Sequence, residues 1–158
     1  MNLTNYTDQD GFEIEIFEDY NGEKWLKKVK GAGSVFHIPE GITAIKGIET
    51  RYLDSHFQCT TFLEAPNLKE IYIPSSVRVI DFAAFDPFDS SVHIYCAAPE
   101  KPEGFADGLY YELYQEDYEF YEGDCYYGTW LTAGTLRGIS DEEVKEGKNL
   151  PVVHWGVC

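Results

Sequence analysis

The sequence predicts a mainly β chain: one short repeat solenoid with an N-terminal hairpin and an acidic, tyrosine-rich C-terminal insertion. Three observations carry this expectation. Apolar and acidic residues alternate over 12–16, a ten-residue motif recurs at an offset of 35, and no Lys or Arg stands between Lys101 and Arg137. With 158 residues, a single domain is the expected size. Hydrophobic residues at 44% and aromatics at 16% indicate a folded chain, although 12 basic and 28 acidic side chains leave a net charge of −16.

Residues 11–30 read as the hairpin. Phe12, Ile14 and Ile16 alternate with Glu13 and Glu15, the period of a half-buried strand. Asn21 and Gly22 supply a tight turn that tolerates positive φ, and Trp25 to Lys30 form the return.

Residues 36–45 superpose on residues 71–80, so that Ile38-Pro39, Ile42 and Ile45 match Ile73-Pro74, Val77 and Ile80. A shared strand and proline over ten residues signals an internal repeat. In each copy the strand must stop at its proline, which has no N–H to donate to a ladder. Period-2 geometry turns Ile71 and Ile73 inward and Tyr72 outward, and Val77 and Ile80 re-enter the core on the return leg. A third partial copy is read at residues 92–96, 21 residues after Ile71, with Tyr95 in the place of the proline. The expected period is about 21–23 residues, within the range of leucine-rich repeats, with the first interval carrying an insertion. Such a unit cannot bury its own apolar edge and needs stacked neighbours. Asn67-Leu68 suits a polar corner followed by an inward leucine, and residues 82–85, Phe-Ala-Ala-Phe, suit a tight turn between legs.

Residues 66–85 closely resemble the BspA-like, type 5 leucine-rich repeat, whose unit reads roughly L-x-x-I-x-I-P-x-x-V-x-x-I-x-x-x-A-F. Ile38, Pro39, Ile42 and Ile45 resemble its opening repeat. Ile94, Tyr95 and Cys96 with Pro99 and Pro102, then Pro151, Trp155 and Gly156, resemble its closing strand. The likeness covers about residues 25–105 and the last eight. It implies a small, curved leucine-rich-repeat-like solenoid of a kind common in bacterial proteins that bind other proteins or host surfaces, with no catalytic residues. This chain departs from the family in its few repeats, its irregular spacing at 46–65 and its long insertion before Pro151. The expected organisation is one domain: hairpin cap 11–30, repeats 31–102, acidic insertion 103–150 and closing strand 151–158.

The insertion interleaves Glu103, Asp107, Glu112, Glu116, Asp117, Glu119, Glu122 and Asp124 with seven tyrosines, among them Tyr110, Tyr111, Tyr114, Tyr118 and Tyr121. So many aromatic rings exclude low-complexity disorder. Leu109, Leu113 and Phe120 fit one helical face, whereas Tyr118 to Tyr121 alternates like a strand; both states remain open. Ser140, with acids in the next turn and Glu143 three residues on, marks a short helix ending at Gly147.

Charge bears on partners. Phosphate binding draws most of its affinity from Lys and Arg, so nucleic acid and anionic membrane surfaces are disfavoured. No segment has the run of about 18 apolar residues that a membrane helix needs. The N-terminus lacks the basic and apolar regions of a secretory signal, which favours a cytoplasmic chain, or a surface or secreted one after signal removal. Two Asn-x-Thr triplets, at Asn2 and Asn5, matter only in a secreted eukaryotic setting.

Candidate chemistry is sparse. His56/Cys59, His93/Cys96, His154 and Cys158 raise a zinc hypothesis, but residues three apart on a strand face opposite sides and no paired CxxC spacing accompanies them. The reading preferred is outward histidines and packed or terminal thiols, with no metal. The insertion's acids could ligate calcium, yet no EF-hand loop pattern is present. Nominating a carboxylate pair for glycosidase chemistry carries no information among 28 acids, no Gly-x-Ser-x-Gly elbow occurs, and residues 31–34 lead into a strand rather than a phosphate-holding helix. The expected function is therefore a non-catalytic protein-interaction module without a cofactor, binding a partner that is basic in character. The candidate contacts are the outward positions His37, Tyr72 and His93 and the insertion's Tyr110, Tyr111, Tyr114, Tyr118 and Tyr121, some of whose rings are expected to cap the solenoid. The alternative is a metal-binding protein or enzyme with its site in the insertion.

Overall fold

A computed structural model describes residues 2–53, 56–86, 88–116, 118–147 and 149–157, with the side chains of 50–59 and 112–116 left outside the description. The chain is mainly β. In order the strands are β1 (Asn2–Thr7), β2 (Glu13–Glu18), β3 (Lys24–Lys30), β4 (Val35–His37), β5 (Ala44–Ile45), β6 (Glu49–Leu53), β7 (His56–Thr60), β8 (Leu63–Glu64), β9 (Glu70–Ile73), β10 (Val79–Ile80), β11 (His93–Cys96), β12 (Asp107–Glu116) and β13 (Glu119–Thr129). A 3-10 turn (Gly134–Arg137), helix α1 (Asp141–Glu146) and strand β14 (Val152–Trp155) complete it. Among the described residues no helix is long and apolar enough to cross a membrane.

The hairpin forms as its alternation dictates. Strands β2 and β3 pair antiparallel, Ile14 is buried, and Asp19 Oδ1 accepts the N–H groups of Asn21 and Glu23 at 2.9 and 3.0 Å to fix the turn. Strand β1 adds an antiparallel edge that the sequence reading omits. Every residue of β1 is exposed, so no inward apolar set marks it as a strand.

Two parallel ladders organise the middle of the chain. One runs β14-β11-β9-β4, and the other sets β3, β5 and β10 side by side within a mixed sheet that includes β1, β2 and β8. The repeat offset of 35 is the physical register: Phe36 pairs with Ile71, Ala44 with Val79 and Ile45 with Ile80. Both copies close the same turn, with Ile42 N–H donating to Pro39 O at 3.4 Å and Val77 N–H to Pro74 O at 3.2 Å. The third copy is corrected. Ile94, not Val92, pairs with Ile71, so the second offset is 23 rather than 21. Tyr95 is then the counterpart of Tyr72, and Cys96 of Ile73.

The core lies between the ladders. Phe36, Ile71 and Ile94 point in from one, and Leu26, Ile45 and Ile80 from the other; all six are fully buried. Each such side chain contributes roughly 1.5–3 kcal/mol of burial. Phe12 closes one end, its ring 4.8 Å from that of Phe36. Phe105, Trp130 and Trp155 pack together at the other, centroids 5.1–6.1 Å apart. Ala83, Ala84 and Phe85 are buried at the tight turn, as their sizes require.

The insertion resolves as an antiparallel hairpin, β12–β13, with a register shift between Tyr111 and Leu113. It pairs in parallel through Tyr114 and Gln115 with Thr50 and Arg51 of β6, whose own hairpin partner is β7. The two inserted segments thus build a third sheet together. Helix α1 begins as expected: Ser140 Oγ accepts the Glu143 N–H at 3.2 Å, and Gly147 ends it at φ 69°. Asp86 ties the 3-10 turn to the core, Oδ1 accepting the Ala133 N–H and Oδ2 the Arg137 guanidinium, each at 2.8 Å.

Candidate functional site

Two surfaces carry side chains that the packing of the core leaves available. The first is the outward face of the β14-β11-β9-β4 sheet. Because these strands are parallel and in register, equivalent outward residues stand one strand spacing apart, about 4.8 Å. His37, Tyr72, Tyr95 and His154 occupy one such row. Their rings stack at 4.6, 4.9 and 4.6 Å with planes within 15°. The rings present their edges to solvent along the row, and their free faces only at its two ends.

Glu70 and His93 belong to the neighbouring outward row and pair in register. The Tyr72 hydroxyl donates to Glu70 Oε1 at 3.2 Å. Burial first, and then the Glu70 carboxylate by charge and hydrogen bond, holds the Tyr72 phenol above its ordinary pKa. His93 Nδ1 lies 2.9 Å from His154 Nε2.

The expected positions His37, Tyr72 and His93 are thus all on the outward face. The sequence reading left Tyr95 and His154 out of the outward contacts. The signal existed: with an offset of 23, Tyr95 repeats Tyr72, whereas the offset of 21 placed it on Pro74.

The second surface is the β12–β13 hairpin. Leu109 is 72% exposed, Tyr111 62%, Phe120 67% and Tyr118 at the tip 95%. Tyr118 also holds φ at 72°, the left-handed region that side-chain-bearing residues rarely adopt. Tyr121 is 40% exposed, its hydroxyl donating to Glu119 Oε2 at 2.7 Å. Tyr110 is a correction to the expected contacts: it is buried, stacks on Phe82 at 4.5 Å and donates to Ala133 O at 2.8 Å. Its ring anchors the hairpin base because it faces the core side of β12. The side chain of Tyr114 lies outside the described residues; its backbone pairs with Tyr121 and Thr50.

His93 and Cys96 face opposite sides of β11, as their spacing requires. Burial pushes the Cys96 thiol up to about 12, which keeps it from the thiolate form a metal would need. Cys125, by contrast, is exposed on β13, not packed. The side chains of His56 and Cys59, and Cys158, lie outside the described residues. Among the described residues no three metal-ligating side chains converge. No family model, curated protein or solved structure matches the chain, so the family resemblance rests on its repeat residues alone.

Proposed function

We propose that the chain is a non-catalytic protein-interaction module of leucine-rich-repeat type, whose acidic hairpin contacts a basic protein partner. The repeat reading is supported by two copies of one motif lying in register across two parallel ladders around one core. Stacked units of this kind bury an edge that a single unit cannot, which is the logic of a solenoid.

The binding reading is carried by one observation: Leu109, Tyr111, Tyr118 and Phe120 are 62–95% exposed on a hairpin rich in acids. Four large apolar side chains left exposed on one hairpin offer a partner apolar contact area. Tyrosine and phenylalanine rings give large contact area at low entropic cost, and the surrounding carboxylates select Lys and Arg on the partner. The ring row around Tyr72 offers a second, flatter contact face.

The test is a display selection of peptides on the full chain, followed by affinity measurement of the enriched sequences at low and high salt. Basic sequences should be enriched, and their binding should weaken with salt and fall at least about tenfold in a Tyr111→Ser, Phe120→Ser double variant. Binding indifferent to both salt and that variant would reject the hairpin as the contact site.

A further inference from the structure

His93 and His154 stand on adjacent parallel strands, in neighbouring outward rows. Their planes differ by 16° and their centroids are 5.2 Å apart, while His93 Nδ1 and His154 Nε2 are separated by 2.9 Å. That centroid distance is about the nitrogen separation plus the radius of each ring. The imidazoles therefore meet edge to edge, nitrogen to nitrogen, rather than face to face. One N–H donates into the lone pair of the other ring.

Such a pair also presents two ligands of one type. Neutral imidazole nitrogen suits zinc, copper and nickel, and tetrahedral zinc with bonds of about 2.0–2.1 Å spans roughly 3.3 Å between two nitrogens. The present contact is shorter, and its two nitrogens face each other, so metal binding requires both rings to turn out of the hydrogen bond until their lone pairs converge on one point. The backbone is already fixed, because β11 and β14 pair over four residues, so only the side chains need to move. Both histidines are partly exposed, so the site is open to solvent. Glu70, in register with His93, places a carboxylate in the same row, and a net charge of −16 concentrates dications near the surface.

We propose that His93 Nδ1 and His154 Nε2 form a two-nitrogen chelate for a divalent copper, nickel or zinc ion on the outward face of β11 and β14. Water completes the coordination. No proton is released from a neutral pair: the ring that donated carries its proton on its far nitrogen when the near one binds the metal.

Calorimetric titration of the full chain with Ni2+ and with Zn2+, in oxygen-free buffer without added thiol, tests this. One equivalent should bind, His93→Ala and His154→Ala should each weaken binding at least about tenfold, and Cys125→Ser should leave it unchanged. Absence of binding, an effect of only one of the two histidines, or loss in the cysteine variant would overturn the site. Where a histidine variant does not fold, substoichiometric paramagnetic Ni2+ added to the unsubstituted chain decides the matter. Broadening of the Cε1–H resonances of both rings supports the chelate, and broadening of one or neither overturns it.

Discussion

The ring of Tyr72 lies parallel to that of Tyr95, with centroids 4.9 Å apart and planes 15° apart, because the two residues pair across parallel strands β9 and β11. Strand pairing sets the stacking distance, and the stack in turn holds the Tyr72 phenol where it donates a hydrogen bond to Glu70.

Tyr72 should therefore ionise above the ordinary tyrosine range. Its folded pKa is raised, so the protonated phenol favours the fold, and that contribution is lost as pH rises from about 10 through the raised value. Glu70→Gln should return the Tyr72 titration part of the way, since burial remains. The 13C signal of the Tyr72 ring carbon bearing oxygen, followed against pH, reads this directly. An unchanged midpoint would show that the carboxylate plays no part.

Gly134 begins the 3-10 turn at φ 55°, and an added Cβ would collide with the backbone carbonyl of Tyr127. Gly134→Ala should cost roughly 2–4 kcal/mol, combining backbone strain with a clash that cannot relax cheaply. Gly22 has φ 79° but open space around it, so Gly22→Ala should cost only about 1 kcal/mol. Urea midpoints at constant slope measure both. Equal losses would remove the collision from the account.

The two described thiols should differ sharply in reactivity. Cys96 is 1% exposed with its thiol pushed up to about 12, whereas Cys125 is exposed on the hairpin. Under native conditions a small alkylating reagent should label Cys125 quickly and Cys96 only on unfolding. Site-resolved mass spectrometry checks the order. Rapid native labelling of Cys96 would mean that β11 opens readily.

Tyr118→Asn should stabilise the chain. Asn adopts the left-handed region more readily than Tyr, and a ring that is 95% exposed gives up little packing. A gain of about 0.5–1 kcal/mol is expected in thermal or urea unfolding. A loss of stability would show that the ring is held by contacts at the tip.

The parts of the fold legible in the sequence are those where one residue type forces one geometry. The prolines lie just beyond the ends of β4 at His37 and β9 at Ile73, and the alternation around Ile71 and Tyr72 assigns inside and outside without further information. Asn21-Gly22 and Ser140 likewise act locally. What remained hidden depends on distant partners. The insertion satisfied helical and strand periods equally, and its strand state comes with pairing of β12 to β6, some sixty residues earlier in the chain. The third repeat was set two residues short because no proline marks the end of β11, which concealed the place of Tyr95 in the ring row and the approach of His154 to His93.

The third sheet stands apart from the two ladders in what fixes its size. Segments 46–62 and 107–129 leave the ladders between repeat strands, and their arms pair with each other at Thr50 and Tyr114. Extra residues at the far end of either arm add loop entropy that grows only as the logarithm of length, and the repeat registers need not change. The core can thus stay fixed while the reach of the arm is altered, so length, rather than sequence alone, becomes a variable of the surface such a chain presents.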